Sequence, residues 1–456
     1  MPCQSSQNET EPPPANGSNE ARFLRFFPRM RYFPPSNRVF ESLNGVPLQL
    51  LWHTVLTPYR EEPCMLGLSE IASRIVQSSI RTMSVECEKV GGVNLAQGVC
   101  DTEVPAVVRH GAEDAIEAGE NQYTRADGIA RLREAISRKL LQQNGITADP
   151  ETEVLVTSGV TGGIDSTCRA LLNPGDEVIL FEPYYGYHYA TLVGQYCKPV
   201  LVSLDPPDYP LVTDRLTAAI TSRTRAIVVN TPANPSGKLF SKGELETIAA
   251  IATHHDLFIF TDEIYEHFVY DGQRHISPGS LPGVSERTIT ISGFSKVFSI
   301  TGWRVGFVQA SARWTPSINY FHDLTYVCAP SALQHGAAAG LECLPHSFYT
   351  DLIHEYQGKR EMICSALRES GMEPSVPAGA YYVLADASVL PGSNSVEKAM
   401  NLLALTGVAS VPGEAFFQGD RGDHLLRFCF AKTETDLVEA CDRLAKLRRA
   451  SRGANR

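Results

Sequence analysis

The chain is 456 residues long, with 43% apolar residues and a formal net charge of −11. That length and apolar content suit one large domain with a smaller one beside it, and the negative balance argues against a nucleic-acid partner, whose phosphates want a basic face. No window approaches the roughly 20 apolar residues of a membrane span, and eleven scattered cysteines without a CxxC pair suggest neither a zinc site nor a disulfide framework, as expected of a reducing, cytoplasmic setting.

Residues 1–64 differ in character from the rest of the chain. The first nineteen are rich in Pro, Ser, Asn and Glu, and residues 22–60 mix aromatics, prolines and arginines without period. Such composition buries little, and a poorly ordered N-terminal extension is expected. No basic stretch precedes an apolar one, so no signal peptide is read there. Order is expected from Met65, where Ser69 is placed to cap a helix over 70–83 with Ile71, Ile75 and Ile80 on its buried face. The run 93–99 reads as a strand entering a loop, with Gly98 allowing close backbone approach. Tyr123 stands in the loop after a helical stretch, either partly packed or presenting its hydroxyl to an anion, and a helix is expected over 132–144.

From Glu153 short apolar runs alternate with helical segments. Strands are expected at 154–156, 177–181, 200–203, 225–230, 257–261, 288–292 and 305–309, and helices at 162–172, 186–194, 213–220, 241–254 and 332–344. This alternation predicts an α/β fold, with a mostly parallel seven-stranded sheet covered by helices on both faces. Beyond 345 the pattern becomes α+β, with a helix at 348–370, strands at 381–384, 407–411 and 425–430, and a last helix at 434–449. The expected organisation is an extension over 1–64, a large domain over 106–344, and a smaller domain from 65–105 with 345–450.

Four segments carry chemistry, each at a predicted strand end, where ligands of open α/β sheets bind. Ser158-Gly159-Val160-Thr161-Gly162-Gly163 links a strand to a helix. It is either an anion cradle of free N–H groups or a plain turn, and it is neither a P-loop nor a GxGxxG motif. Asn230-Thr231-Pro232-Ala233-Asn234-Pro235-Ser236-Gly237 offers an amide in a turn stiffened by prolines. Thr261-Asp262-Glu263-Ile264-Tyr265 supplies an acid able to pair with a protonated ring nitrogen. Ser292-Gly293-Phe294-Ser295-Lys296 puts a lysine among small residues, where desolvation lowers its pKa and frees a nucleophilic amine for Schiff-base chemistry. Arg304, eight residues later, can fork onto a phosphate.

These motifs, in this order and spacing, resemble the fold-type I, class I/II aminotransferases of the aspartate aminotransferase superfamily, over about residues 65–450. The resemblance implies pyridoxal 5′-phosphate as cofactor, no metal, and amino-group transfer between an L-amino acid and a 2-oxo acid by ping-pong chemistry. By that resemblance Lys296 bonds the cofactor aldehyde and then shuttles a proton, Asp262 keeps the ring nitrogen protonated, Asn234 and Tyr265 bond the ring hydroxyl oxygen, and Tyr185 stacks on the ring. Val160, Thr161 and Arg304 bind the phosphate, and Tyr123 reaches the phosphate of the other subunit of a homodimer. Arg427, within Leu426-Arg427-Phe428, pairs with the substrate α-carboxylate, with the Gly98 backbone and Asn234 beside it. The Glu182-Pro183 and Asn234-Pro235 bonds resemble the family's cis-proline sites. Alternation in its strand argues independently that Arg427 is mostly buried, and such a charge needs an acid partner. No basic residue is assignable to a second substrate carboxylate. The extension over 1–64 departs from the family pattern. Two main alternatives stand beside transamination, with an aminocyclopropane-carboxylate synthase-like lyase behind them. One is a C–S β-lyase of the same fold, a branch that commonly has His where Tyr265 stands; the other is a non-enzymatic regulator, whose basic helix-turn-helix module residues 1–64 lack.

Overall fold

The computed structural model describes residues 67–74 and 79–453. The expected extension over 1–64 and the expected helical position Ile75 lie outside them. The described residues from Leu68 onward pack as one compact unit. In chain order the strands are β1 (Val93–Asn94), β2 (Val154–Ser158), β3 (Glu177–Glu182), β4 (Lys198–Ser203), β5 (Thr224–Asn230), β6 (Phe258–Asp262), β7 (Thr288–Gly293), β8 (Val305–Gln309), β9 (Glu373–Ser375), β10 (Tyr382–Asp386), β11 (Val408–Ala409), β12 (Val411–Pro412) and β13 (Leu425–Cys429).

The seven strands β2 to β8 form one sheet in the order β2-β8-β7-β6-β5-β3-β4. Every neighbouring pair is parallel except those made by β8, which runs antiparallel to both β2 and β7. The near-continuous apolar runs of these strands reflect burial on both faces. Val178, Leu180, Phe258, Phe260 and Ile291 point to one face and pack under the helices Gly159–Leu171 and Thr315–Tyr326. The alternate residues Ile179, Phe181, Ile227, Val229 and Ile259 point to the other, against Leu245 and Ile248 of the helix Lys242–His254. That last helix starts as its sequence dictates: the Ser241 hydroxyl accepts from the Glu244 backbone N–H and the Glu244 carboxylate accepts from Ser241 in return.

The second sheet has the order β12-β13-β10-β9, all antiparallel, and β1 pairs in parallel with β11. The chain around Val93 is thereby joined to the C-terminal part, through Val93 opposite Val408.

Several expectations need correction. The helix expected over 70–83 is found as Glu70–Arg74 and Ser79–Lys89. The single strand expected over 407–411 is two, because the chain leaves β11, the partner of β1, at Ala409, passes the buried Ser410, and enters the other sheet at Val411 opposite Arg427. The helix Thr315–Tyr326 was not expected: its Thr, Ile, Asn, Tyr, Phe and His are weak helix formers, and packing beneath the sheet decides the matter. Ser395–Thr406 was also missed, although Asn394 caps it through the Glu397 N–H and Gly407 closes it at φ +70°, both signals the sequence carries. The three-residue strand β9 has no such signal. Among the described residues four X-Pro bonds are cis, the two expected and those before Pro207 and Pro232.

Candidate active site

The carboxyl edge of the large sheet collects the four sequence segments. β2 ends at Ser158 and a helix starts at once, so Val160 and Thr161 lie in its first turn, where backbone N–H groups have no intrahelical acceptor. Arg304 reaches the same edge because β8 is antiparallel: its first residue, Val305, lies where the other strands end. Gly159, at φ +68°, admits the guanidinium, since a Cβ there would lie 2.5 Å from Arg304 Nη2. Arg304 itself holds φ +58° and donates from Nη1 to the Thr301 carbonyl at 3.1 Å; such a backbone costs an L-residue about 1 kcal/mol and is kept by its surroundings.

Lys296 lies three residues beyond the end of β7. Its Nζ donates to the Gly98 carbonyl at 3.1 Å, and that carbonyl also accepts from the Tyr381 hydroxyl at 3.3 Å. Burial in the dense wall around it holds the Lys296 ammonium below its usual value; the Arg304 charge pushes the same way, while Asp262 opposes.

Asp262 ends β6 and is buried. Oδ1 accepts the Ile264 backbone N–H at 3.2 Å, and Oδ2 lies 2.9 Å from His188 Nε2. Tyr185 meets His188 edge to face, with ring centroids 5.2 Å apart. Burial pushes the Tyr265 phenol well above its usual value, with the Tyr382 hydroxyl 3.0 Å away adding to this, so Tyr265 stays a hydrogen-bond donor. Behind this wall Glu263, Glu266 and His275 come together, but Lys139 Nζ already stands 2.5 Å from Glu266 and the Ser277 and Thr261 hydroxyls donate to Glu263, so the charges there are met by the protein's own groups.

Arg427 on β13 faces the cavity from the smaller sheet and is 1% exposed. It donates from Nη1 to Asn234 Oδ1 at 2.9 Å and from Nη2 to the Ala96 carbonyl at 2.6 Å, while its Nε has no partner. Its guanidinium carbon lies 4.3 Å from the Tyr382 ring centre and 4.9 Å from that of Phe416. The acid partner that a buried arginine calls for is missing: among the described residues no carboxylate pairs with it.

Gly98, Val160, Thr161, Tyr185, Asn234, Asp262, Tyr265, Lys296, Arg304 and Arg427 all line one cavity of about 370 Å³. Tyr123 does not; it is 81% exposed and borders a separate surface hollow. Among the residues of the cavity wall that sequence reasoning missed are His188 and Tyr382. His188 was legible, being three residues beyond Tyr185 and so on the same face of a helix start. Tyr382 was not, because only the pairing of β10 with β13, which sets Tyr382 opposite Cys429 and Leu384 opposite Arg427, puts it diagonal to the arginine.

The donor set fits pyridoxal phosphate. The helix start and Arg304 form an anion cradle that any side chain at Gly159 would fill, Asp262 is a buried acid for a ring nitrogen, and Arg427 is a buried cation with an unmet donor. The comparisons agree. A family model described as aminotransferase class I and II matches residues 90–444. The structure of N-succinyldiaminopimelate aminotransferase from Mycobacterium tuberculosis is similar with a TM-score of 0.81 and 34% identity, covering 84% of this chain and 100% of that one. In sequence, aromatic-amino-acid aminotransferase 2 of Thermococcus litoralis is 33% identical over 385 residues, 84% of this chain and 98% of that protein. The human kynurenine–oxoglutarate transaminase 1 is 32% identical over 389 residues, 78% and 92% of the two chains. With the geometry and the matched length in agreement, the chain belongs to the class I and II aminotransferases: it is a pyridoxal-phosphate-dependent transaminase of fold type I, acting on amino acids and 2-oxo acids.

Proposed function

We propose that the cavity at the carboxyl edge of the seven-stranded sheet is the place of transamination, with Lys296 as its catalytic residue. The observation that carries this is the convergence on one cavity of a desolvated lysine, a buried aspartate, an anion cradle and an unpaired buried arginine. Pyridoxal phosphate, when bound, supplies an aldehyde to take up the amino group and a ring to accept the electrons released at the substrate Cα.

The chain's own residues do the rest. Lys296 Nζ, whose ammonium form burial disfavours, would hold the cofactor through its aldehyde and is placed to take and return the proton at the substrate Cα. Asp262, fixed by His188 and the Ile264 N–H, holds a proton on the ring nitrogen. Tyr265 and the Asn234 amide group donate to the ring hydroxyl oxygen; Asn234 is free to do so because its Oδ1 is already committed to Arg427. Tyr185 covers one ring face. Val160, Thr161 and Arg304 hold the phosphate. Arg427 takes the substrate α-carboxylate on its open side, beside the Gly98 backbone.

Two wider readings rest on the same site. The enzyme works as a homodimer in which the exposed Tyr123 of one subunit reaches the other subunit's phosphate, and it serves amino-acid biosynthesis in the cytoplasm, a setting supported by nine free cysteines among the described residues. No helix among the described residues is long and apolar enough to cross a membrane. Within the chain, residues 106–344 form the cofactor domain and residues 65–105 with 345–450 a smaller one, supported by the β1–β11 pairing. Residues 1–64 are dispensable for turnover, as the family match from residue 90 supports.

The direct test is Lys296→Ala. The purified wild-type enzyme absorbs in the visible when loaded with cofactor; the variant should lose that band and its turnover. Full transamination by the variant would refute the assignment.

A further inference from the structure

Tyr382 is 2% exposed and belongs to none of the roles above, yet it touches three of their holders. Its hydroxyl lies 3.0 Å from that of Tyr265. Its ring carries the Arg427 guanidinium, whose Cζ is 4.3 Å from the ring centre, and Phe416 lies on that guanidinium at 4.9 Å. A Cβ on Gly98 would come within 1.9 Å of the same hydroxyl, so the glycine and the tyrosine are matched to each other.

A tyrosine held only for packing would spend its hydroxyl on whatever acceptor was near. This one shares a hydrogen bond with the phenol that faces the ring hydroxyl oxygen, in which either hydroxyl can donate, and burial keeps both protonated. The other charged and titratable groups around the pair are Lys296, Asp262, Arg427, Tyr185, Tyr381, Cys100 and Cys429; among the described residues the hydrogen bond recorded at Tyr265 Oη is the one shared with Tyr382, in which either hydroxyl can donate. Once Tyr265 donates its own O–H to the ring hydroxyl oxygen, its oxygen is left to accept and Tyr382 becomes the donor, and a donor to that oxygen makes the Tyr265 O–H a stronger donor in turn, since hydrogen bonds in series polarise one another. The ring meanwhile fixes the plane of the guanidinium. A carboxylate accepts two parallel N–H bonds only when it is coplanar with the fork, so a clamped plane is a prepared plane.

We propose that Tyr382 is a positioning residue with two separable functions: its hydroxyl strengthens Tyr265 toward the cofactor, and its ring orients Arg427 toward the substrate carboxylate. The inference rests on the roles proposed above for Tyr265 and Arg427, and the test separates its failure from theirs.

The full-length enzyme is loaded with pyridoxal phosphate, and kcat, KM and the cofactor dissociation constant are measured for Tyr382→Phe, Tyr265→Phe, the double variant, Tyr382→Leu and Arg427→Lys. Losing one neutral hydrogen bond predicts that Tyr382→Phe lowers kcat about 3- to 10-fold and weakens cofactor binding by a similar factor, with KM for amino acids unchanged. Acting through Tyr265, it should add nothing to Tyr265→Phe, so that the double variant matches that single one; losses that multiply overturn the relay. Tyr382→Leu should raise KM about 10-fold for amino acids and 2-oxo acids alike and leave the KM of amines without a carboxylate unchanged. If Tyr382→Leu does not fold, the Tyr382→Phe cycle decides alone. Arg427→Lys is the reference: if it raises KM while Tyr382→Leu does not, the clamp is refuted and the arginine stands, whereas unchanged KM in Arg427→Lys refutes the arginine's role and the clamp with it.

Discussion

Arg427→Lys keeps a positive charge on β13 and removes the fork. In the wild type Nη1 and Nη2 are engaged by Asn234 and Ala96, Nε is unmet, and the guanidinium lies over the rings of Tyr382 and Phe416. Because no carboxylate of the described protein neutralises this buried charge, the substrate supplies the missing anion, and binding recovers part of what burial cost. An ammonium offers one bond where the guanidinium offers two in a plane, and it does not stack. A charge-assisted hydrogen bond is worth about 1.5–3 kcal/mol, so the exchange should cost about 2–3 kcal/mol, or about 30- to 150-fold in kcat/KM. The loss should fall mainly on KM and affect the amino donor and the 2-oxo acceptor alike, because both carry the same carboxylate. Steady-state assays of both half-reactions measure it, with the visible spectrum of the loaded enzyme and its thermal midpoint as controls for cofactor binding and folding. Amines without a carboxylate should change less than about threefold, since they never form the lost bond. If a folded, cofactor-loaded Arg427→Lys keeps its amino-acid KM within about twofold, the carboxylate is anchored elsewhere and the reasoning from the unpaired charge is wrong.

Other perturbations test the remaining parts of the site. Asp262→Asn keeps the shape and one hydrogen bond but loses the charge; cofactor affinity should fall about 10-fold and kcat at least about 100-fold, as expected when an opposite charge worth a few pKa units is removed beside a titrating ring. Equal losses in binding and turnover would argue against a role in electron withdrawal. Gly98→Ala puts a methyl group 1.9 Å from the Tyr382 hydroxyl, and overpacking of about 1–3 kcal/mol at the substrate side should lower kcat/KM about 10-fold or more; wild-type kinetics would show that the wall yields freely. The Lys296 amine has a folded-state pKa below its ordinary 10.5, so between the two values the unfolded chain binds more protons and the cofactor-free protein gains stability as pH rises. Urea denaturation from neutral pH to about pH 10 should therefore show a shallower rise for Lys296→Met than for wild type, and identical slopes would mean that the lysine is not desolvated.

Much of this protein was legible in its sequence, for local reasons. A strand buried on both faces must be apolar at nearly every position, so the seven runs of the large sheet were visible and their edges fell within a few residues of those found. The site segments were visible because each is a strand end with turn chemistry directly after it: the glycine before Val160, the prolines about Asn234, the Asp262 and Lys296 termini. Ser241 with Glu244, and Asn394 with Glu397, are likewise signals within four residues of chain.

What the sequence could not contain is which distant strands lie side by side. The reversed direction of β8 brings Arg304 to the phosphate edge, and nothing near Arg304 announces that reversal. The helix Thr315–Tyr326 exists against its own propensities because it covers a sheet face. The split at Ser410, the absence of an acid beside Arg427, and the contact of Tyr382 with both Tyr265 and Arg427 all depend on register between segments far apart in the chain. The sequence by itself determined which residues were fit for the chemistry, because desolvation, capping and turn geometry act on near neighbours. Tertiary structure alone decided which of them meet, because hydrogen bonds and guanidinium stacking act over a few ångströms and only strand pairing brings residues separated by hundreds of positions within that range.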